Sequence, residues 1–434
     1  RHKRSSMEDC HELSQPIGKR QSVATSGGLT SNDEPFDPAA AIIVRPPHAP
    51  EAFADLGKRL REGHLVSFPT ETVYGLGANG LDAKAVLKIF EAKGRPLSDP
   101  CILHVSTAKE AAELFDLNDA EQEALAVFAA SCWPGPLSIV GRAKPCVPVE
   151  VTAATDFVAV RCPDHEVARA LISAAGRPLA APSANRFGHI SPTLPEHVLE
   201  DLGHAPGLRI IDGGPCSVGI ESTVMRLELD CRRVVILRKG GVTKERLEAI
   251  VADGLARGTL SQHIAVEYSE RLAASAQTLR EREEAIPEQA QESPGLLLRH
   301  YSPSVPSALL LAEEMLPTPE AFAGGKKLPY AVQQSVLIDF GRRLQLLHDR
   351  FLGTFDLCDG TSTVVDPVEN ACTRAFAVLR AAEAFAIAKG ASFICISDFN
   401  AAKLGSRAEA LHDRMFRAAS GCRVAICPQG NTHF

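Results

Sequence analysis

Apolar and polar positions alternate along this chain in two registers, one helical and one extended. Phe53, Leu56 and Leu60 fall on one face of 51–63 and Gly63 stops the run, which predicts a first helix. Apolar runs of strand length follow at LVSF (65–68), CILHV (101–105), LSIV (137–140), FVAVR (157–161), LAAPS (179–183), RII (209–211), STVMRL (222–227) and VVILR (234–238). Between them the spacing predicts helices over 82–93, 107–115, 119–131 and 164–175. Strands interleaved with helices predict an α/β domain over 39–252.

From 253 to 306 the pattern lapses. Charges dominate RLAASAQTLREREEAIPEQAQES, and Pro294, Pro303 and Pro306 follow, so the segment reads as a linker with one solvated helical stretch. A smaller α/β unit is expected over 307–434. SVLIDF (335–340), SFICISDF (392–399) and RVAIC (423–427) predict strands of a small parallel sheet. Asp366, Pro367 and Glu369 supply the N-cap, the first-turn proline and an early acid for a helix that runs to Lys389 and stops at Gly390. Ser406 and Glu409 predict a capping box for a helix over 406–420, ended by Gly421. Residues 1–38 are polar and Ser-rich without periodicity, and read as a disordered extension.

Composition narrows the class. The 434 residues are 45% hydrophobic, enough for more than one core at ~100–200 residues per domain. A net charge of −7 excludes a global basic pull toward nucleic acid, so an RNA contact needs a local patch. The 12 cysteines are scattered singly without a C-x-x-C pair, which points to reduced thiols rather than to disulfides or zinc. No apolar run reaches the ~18–20 residues of a membrane span. Glu8, Asp9 and Glu12 argue against an organelle transit peptide, so a cytoplasmic protein is expected.

GLGANG (75–80) fits the pattern G-x-G-x-x-G. The dinucleotide fingerprint needs its first glycine directly after a strand and an acid about 20 residues on, at the tip of the second strand. Here PTETVY intervenes between Phe68 and Gly75, and the tip of CILHV offers His104 and Ser106. The glycines read instead as a permissive turn whose N–H groups face a ligand, beside a PTET loop carrying two hydroxyls and a carboxylate. Lys93 and Arg95 close the helix 82–93, where the helix dipole alone would account for them. Arg161 ends FVAVR, APSAN (181–185) sets a hydroxyl and an amide behind a strand, Ser222 and Thr223 head another, and VVILRKGG ends in Arg238 and Lys239. A surface ion pair, a turn or β-propensity would explain each singly. Together, hydroxyl-bearing loops and strand-end cations suit a polyphosphate ligand.

The segments FPTETVYGLG (68–77), KGRPLSDPCILHV (93–105), WPGPLSIV (133–140), VAVRCPDH (158–165), APSAN (181–185), ESTV (221–224), LRKGG (237–241) and SPGLLLRHYSP (293–303), in this order, resemble the threonylcarbamoyl-AMP synthase family of the two-domain type. The resemblance implies an α/β fold with a YrdC-like twisted mixed sheet and flanking helices, followed by a smaller Rossmann-like α/β domain. It implies that L-threonine, bicarbonate and ATP, accompanied by Mg2+, give threonylcarbamoyl-adenylate and pyrophosphate. A separate tRNA threonylcarbamoyl transferase complex would then modify the adenosine beside the anticodon. Direct contact with tRNA and the identity of metal ligands are left open, and no membrane is implied.

Carried residue by residue, the resemblance assigns Thr70, His104, Arg161, Ala181 and Ser222 to threonine. It assigns Lys93, Arg95, Asp99, Phe157, Ser183, Asn185, Ser191, Arg238 and Tyr301 to ATP, with Lys93 and Arg95 as the catalytic pair. Asp99 replaces the family's usual Asn, Phe157 its usual Thr, and Ser138 the usual Thr after PGPL. Such a reaction brings two anions together, so cations must offset their repulsion, and the linker motif 293–303 would act as a lid. The alternatives are a double-stranded RNA or tRNA-binding module without catalysis, and a carbamoyl-transfer enzyme, which would carry further domains and zinc-finger cysteines.

Overall fold

The computed structural model describes residues 41–45, 50–273, 278, 290–291, 294–295, 297–311, 331–358 and 366–425. The expected extension 1–38, much of the charged linker, Ser293 and Leu296 of the SPGLLLRHYSP segment and the end of RVAIC lie outside the described residues. Eleven strands form one mixed sheet: β1 (Ile42–Val44), β2 (Val66–Phe68), β3 (Gly75–Asn79), β4 (Ile102–His104), β5 (Leu137–Arg142), β6 (Phe157–Arg161), β7 (Leu179–Ala180), β8 (Arg209–Ile211), β9 (Thr223–Glu228), β10 (Arg233–Arg238) and β11 (Ala265–Tyr268), in the order β1-β8-β2-β3-β7-β4-β6-β5-β9-β10-β11. The register of the parallel pair β4 and β6 sets His104 against Arg161, so two candidate residues share one strand end.

Two apolar clusters flank this sheet. Helices Pro50–Arg61 and Glu166–Ala175 contribute Phe53, Leu60 and Leu171 to one, packed with Phe68. Helices Ala83–Lys93, Asp119–Cys132 and Lys244–Ala256 contribute Ile89, Phe128 and Leu247 to the other, packed with Leu76 and Leu103.

The GLGANG segment is a strand, not the turn expected from its glycines. β3 pairs antiparallel with β2 and β7, and its N–H groups are engaged in the sheet and its surroundings, as in Leu76 N to Pro182 O at 2.8 Å. Packing demands the glycines. A Cβ on Gly77 would stand 2.7 Å from Phe68 Cε1, and one on Gly80 2.5 Å from Leu103 Cδ2. LAAPS, expected to be extended throughout, is extended only at β7 before the chain turns.

The second sheet comprises β12 (Ser307–Leu311), β13 (Ser335–Asp339), β14 (Gly353–Asp356), β15 (Phe393–Ser397) and β16 (Arg423–Ala425), all parallel, in the order β14-β13-β15-β12-β16. Counted within this unit the order is 3-2-4-1-5. The Rossmann order is 3-2-1-4-5, so the parallel character is as expected and the strand order is not, because β15 inserts between β13 and β12. Asp366 caps the helix Pro367–Lys389 by accepting from Val368 N, and Gly390 at φ +66° ends it, as its sequence announces. The helix Ser406–Ala418 lacks the expected capping box. Ser406 instead donates to Glu245 at 2.6 Å and Glu409 pairs with Lys239 at 2.8 Å, so contacts with the first sheet's elements take both side chains away from the local cap.

These contacts continue into a shared core. Leu309, Ile338, Phe376, Leu379 and Met415 of the second unit form one apolar cluster with Val73, Ile190, Ile220 and Tyr301. Val73, Ile190 and Ile220 follow or precede Thr70, Ser191 and Ser222 closely in the chain, and Tyr301 is itself a candidate site residue.

Candidate active site

The helix Ala83–Lys93 starts at Asp82, whose carboxylate accepts from Lys84 N and Ala85 N, and ends at Gly94 in the left-handed region at φ +63°. That end delivers the two adjacent cations. Lys93 is buried and its Nζ donates to Ser183 O and Asn185 O, both at 2.5 Å, tying the helix to the APSAN loop. Burial, with the charge of Arg95 beside it, pushes the Lys93 ammonium down to about 7. Arg95 donates to Asp99 O and Pro100 O and pairs with the Asp99 carboxylate at 3.1 Å. Asp99 is thus spent on Arg95.

Arg161 is held on three sides. Its Nε donates to Gly135 O at 3.2 Å, Nη1 to Thr72 Oγ1 at 2.9 Å, and Nη2 pairs with Glu71 at 2.7 Å. Thr70 Oγ1 accepts from Val73 N at 3.2 Å and lies 2.9 Å from Thr72 Oγ1, so the PTET loop is knotted around its own hydroxyls. His104 lies alongside with Nδ1 3.2 Å from Ile102 O. Burial, and then the Arg161 charge, push its imidazole down to about 3, so it is neutral at physiological pH.

Arg238, at the end of β10, donates from Nε to Ser222 O, from Nη2 to Ser222 Oγ and from Nη1 to Pro294 O, at 3.1, 3.0 and 3.1 Å. Ser222 Oγ also lies 2.8 Å from Ser138 Oγ. The linker motif therefore rests on a strand-end arginine. Gly295, at φ +78°, permits this: a Cβ there would stand 2.8 Å from Tyr301 Oη and 3.1 Å from Arg238 Nη1. Tyr301 is fully buried at φ +61°, its ring 5.3 Å from that of Phe376, and burial raises its phenol to about 12.

These groups surround one cavity of about 510 Å3, its open mouth included. Thr70, Arg95, His104, Arg161, Ala181, Ser183, Ser222, Arg238 and Tyr301, all anticipated from the sequence, line it. Lys93 sits behind the wall they form, as does Asn185, which donates to Arg186 O and His189 O, and Ser191, which donates to Glu221 at 2.7 Å. Phe157 is not brought there. It stands at the opposite end of β6 from Arg161, beneath the Arg226 guanidinium at 5.7 Å, because the five-residue length of the strand separates the two ends. Thr72, Glu221 and His300 line the cavity without having been singled out. Each lies inside a quoted motif, so the signal was present, but nothing in the sequence said which motif residues point inward. Nδ1 of His300 and Oη of Tyr301 have no hydrogen-bond partner among the described residues, which leaves both free for a ligand.

Comparisons with known proteins bear on the chain as a whole. Residues 58–240 match the Sua5/YciO/YrdC family model, described as telomere recombination, and 242–420 match the model described as threonylcarbamoyl-AMP synthase, C-terminal domain. The threonylcarbamoyl-AMP synthase of Bacillus subtilis is 39% identical over 293 residues, 67% of this chain and 71% of that protein. The synthase of Pyrococcus abyssi is 42% identical over 245 residues, 56% of this chain and 64% of that protein. The crystal structure of P. abyssi Sua5 complexed with L-threonine superposes with a TM-score of 0.66 at 30% identity, covering 89% of this chain and 99% of that one. With both family models in order along one chain and a relative matched over most of its length, this chain belongs to the threonylcarbamoyl-AMP synthase family, in its two-domain form.

Proposed function

We propose that the cavity joins L-threonine, bicarbonate and ATP into threonylcarbamoyl-AMP, with release of pyrophosphate. The observation that carries this is the convergence of Arg95, Arg161 and Arg238 on one cavity beneath Tyr301. Arg161 takes the threonine carboxylate, since its anchoring contacts leave an N–H on each terminal nitrogen for a two-pronged bond. Thr70, His104, Ala181 and Ser222 surround that end. Arg95 and Arg238 face the phosphates, with Lys93 steadying the APSAN wall.

The threonine amine combines with bicarbonate to give a carbamate and water, and a carbamate oxygen then attacks the α-phosphorus as pyrophosphate departs. No covalent bond to the enzyme is needed, so the protein's work is positioning and charge compensation. Pro294, Gly295, His300 and Tyr301 close over the reactants and exclude water from the carbamate. The site's carboxylates are already committed, Glu71 to Arg161, Asp99 to Arg95 and Glu221 to Arg414. Among the described residues no cluster of His, Cys, Asp and Glu could hold a metal. Mg2+ would accompany the ATP phosphates and offset part of their charge.

The product passes to a tRNA-modifying transferase, in the cytoplasm. No helix among the described residues is long and apolar enough to cross a membrane. RNA binding alone would leave these cations idle: Arg95, Arg161 and Arg238 are 7%, 4% and 5% exposed and cannot reach a duplex backbone. The test is pyrophosphate release and adenylate formation with each substrate omitted in turn. Release that persists at the same rate without threonine would refute the proposal.

A further inference from the structure

The second unit contributes a side chain to the machinery around the cavity. Arg414, on the helix Ser406–Ala418, is fully buried. Its Nε donates to Glu221 Oε2 at 2.8 Å, Nη2 to Lys239 O at 2.7 Å, and Nη1 to Asp413 at 2.9 Å. Its guanidinium stands 5.4 Å from the centre of the Tyr301 ring. Glu221 and Tyr301 line the cavity, and Lys239 directly follows Arg238, which lines it too. One residue from the second unit thus touches the ESTV loop, the LRKGG turn and the linker tyrosine.

Charge explains why it stands there. Glu221 is a buried carboxylate on the wall of a site that receives a triphosphate. Ser191 satisfies one of its oxygens with a neutral hydroxyl, and Arg414 meets the other with a guanidinium that it shares with Asp413, a carboxylate also paired with Arg417. Without that charge Glu221 would repel the nucleotide. It would also compete for the guanidinium of Arg238, which lies close enough for the two charges to act on each other. The loss of one partner of a buried ion pair leaves the other uncompensated.

We propose that Arg414 is a positioning residue for the nucleotide. It cancels the charge of Glu221 and seats Tyr301, so that the second unit sets the affinity for ATP. This rests on the cavity being the ATP site.

The experiment uses the full chain with Arg414→Met, Arg414→Lys, Glu221→Gln and the Glu221→Gln/Arg414→Met double variant. Pyrophosphate release is measured with ATP and threonine titrated separately, and each variant is melted. Methionine keeps the apolar contact with Tyr301 while removing the charge. R414M raises the KM for ATP tenfold or more and moves that for threonine less than threefold. R414K gives a smaller rise than R414M. Adding E221Q returns the ATP KM to within threefold of the wild type, a rescue that a purely structural role would not show.

If R414M melts below the assay temperature, the folded double variant decides: a near-normal ATP KM supports the inference and a tenfold rise overturns it. An unchanged ATP KM in folded R414M overturns it. So does an equal rise in both KM values, or a defect that E221Q leaves in place. A wild type without threonine-dependent release would fail the reading of the cavity itself, and is recognised before any variant is compared.

Discussion

Replacing Arg161 by lysine isolates what the planar guanidinium does beyond its charge. Arginine has five N–H groups; two are donated, to Gly135 O and Thr72 Oγ1, while Nη2 is paired with the Glu71 charge without a hydrogen bond. At least one N–H remains on each terminal nitrogen, the geometry a carboxylate accepts in two parallel bonds. Lysine keeps the charge, so Glu71 retains a counter-ion, but a single ammonium cannot serve Glu71 and both carboxylate oxygens. One charge-assisted bond to the substrate is lost, about 1.5–3 kcal/mol, which corresponds to a roughly 10- to 150-fold rise in the threonine KM. The ATP KM should move less than threefold, because no phosphate contact is touched. Pyrophosphate release at saturating ATP and bicarbonate, with threonine varied, measures this directly. A folded Arg161→Lys variant with an unchanged threonine KM, or with equal rises in both KM values, refutes the assignment of this residue to the substrate carboxylate.

Lys93 should make nucleotide binding depend on pH. Its ammonium is pushed down to about 7 by burial and Arg95, and phosphates in front of the wall it supports favour its charged form, so the ATP KM should rise as pH climbs through 7; a KM flat from pH 6.5 to 8.5 would contradict this. Between the two units, burial would raise the Glu383 carboxyl, but hydrogen bonds from His189 and Ser304 hold it at about 2, against 4.5 when free. A depressed carboxyl stabilises above its unfolded pKa and loses that contribution as pH falls through the folded one. Glu383→Gln should therefore cost ~3 kcal/mol at pH 7 and nearly nothing near pH 2, as read by denaturant titration; a pH-independent difference would refute the linkage. Gly240 packs against the backbone of the ESTV loop, where a Cβ would lie 2.4 Å from Glu221 O. Gly240→Ala should cost about 1–3 kcal/mol or more and impair turnover together with the melting temperature; wild-type values for both would show that the loop yields freely.

How much of this was legible depended on how local each signal was. Asp366, Pro367 and Gly390 act within one turn of their own helix, and the structure follows them. FVAVR followed by Cys-Pro puts Arg161 at a strand end, and it is there. The glycines of 75–80 read as a turn because the residues that demand them, Phe68 and Leu103, lie on neighbouring strands. Ser406 and Glu409 carry a sound local cap signal, which Glu245 and Lys239 overrule from more than 150 positions away. SALLL and GTFD, the strands β12 and β14, are hard to read because Pro306 directly precedes the first and Gly353 opens the second, so each short run merges with turn-like sequence. Which residues of a quoted motif face inward is likewise set by tertiary packing, as for His300, whereas Phe157 rests on the family resemblance alone.

The apolar cluster that joins Val73, Ile190 and Ile220 to the second sheet bears on how a chain of this kind can be shortened. Cut back to its first sheet, it would present three greasy positions to solvent directly behind its reaction chamber, an invitation to self-association. A natural chain of that shorter design must therefore carry hydrophilic residues at the counterparts of these three, or recruit another molecule to shelter them. The amino acids found at those counterparts tell whether such a protein works bare or under a roof.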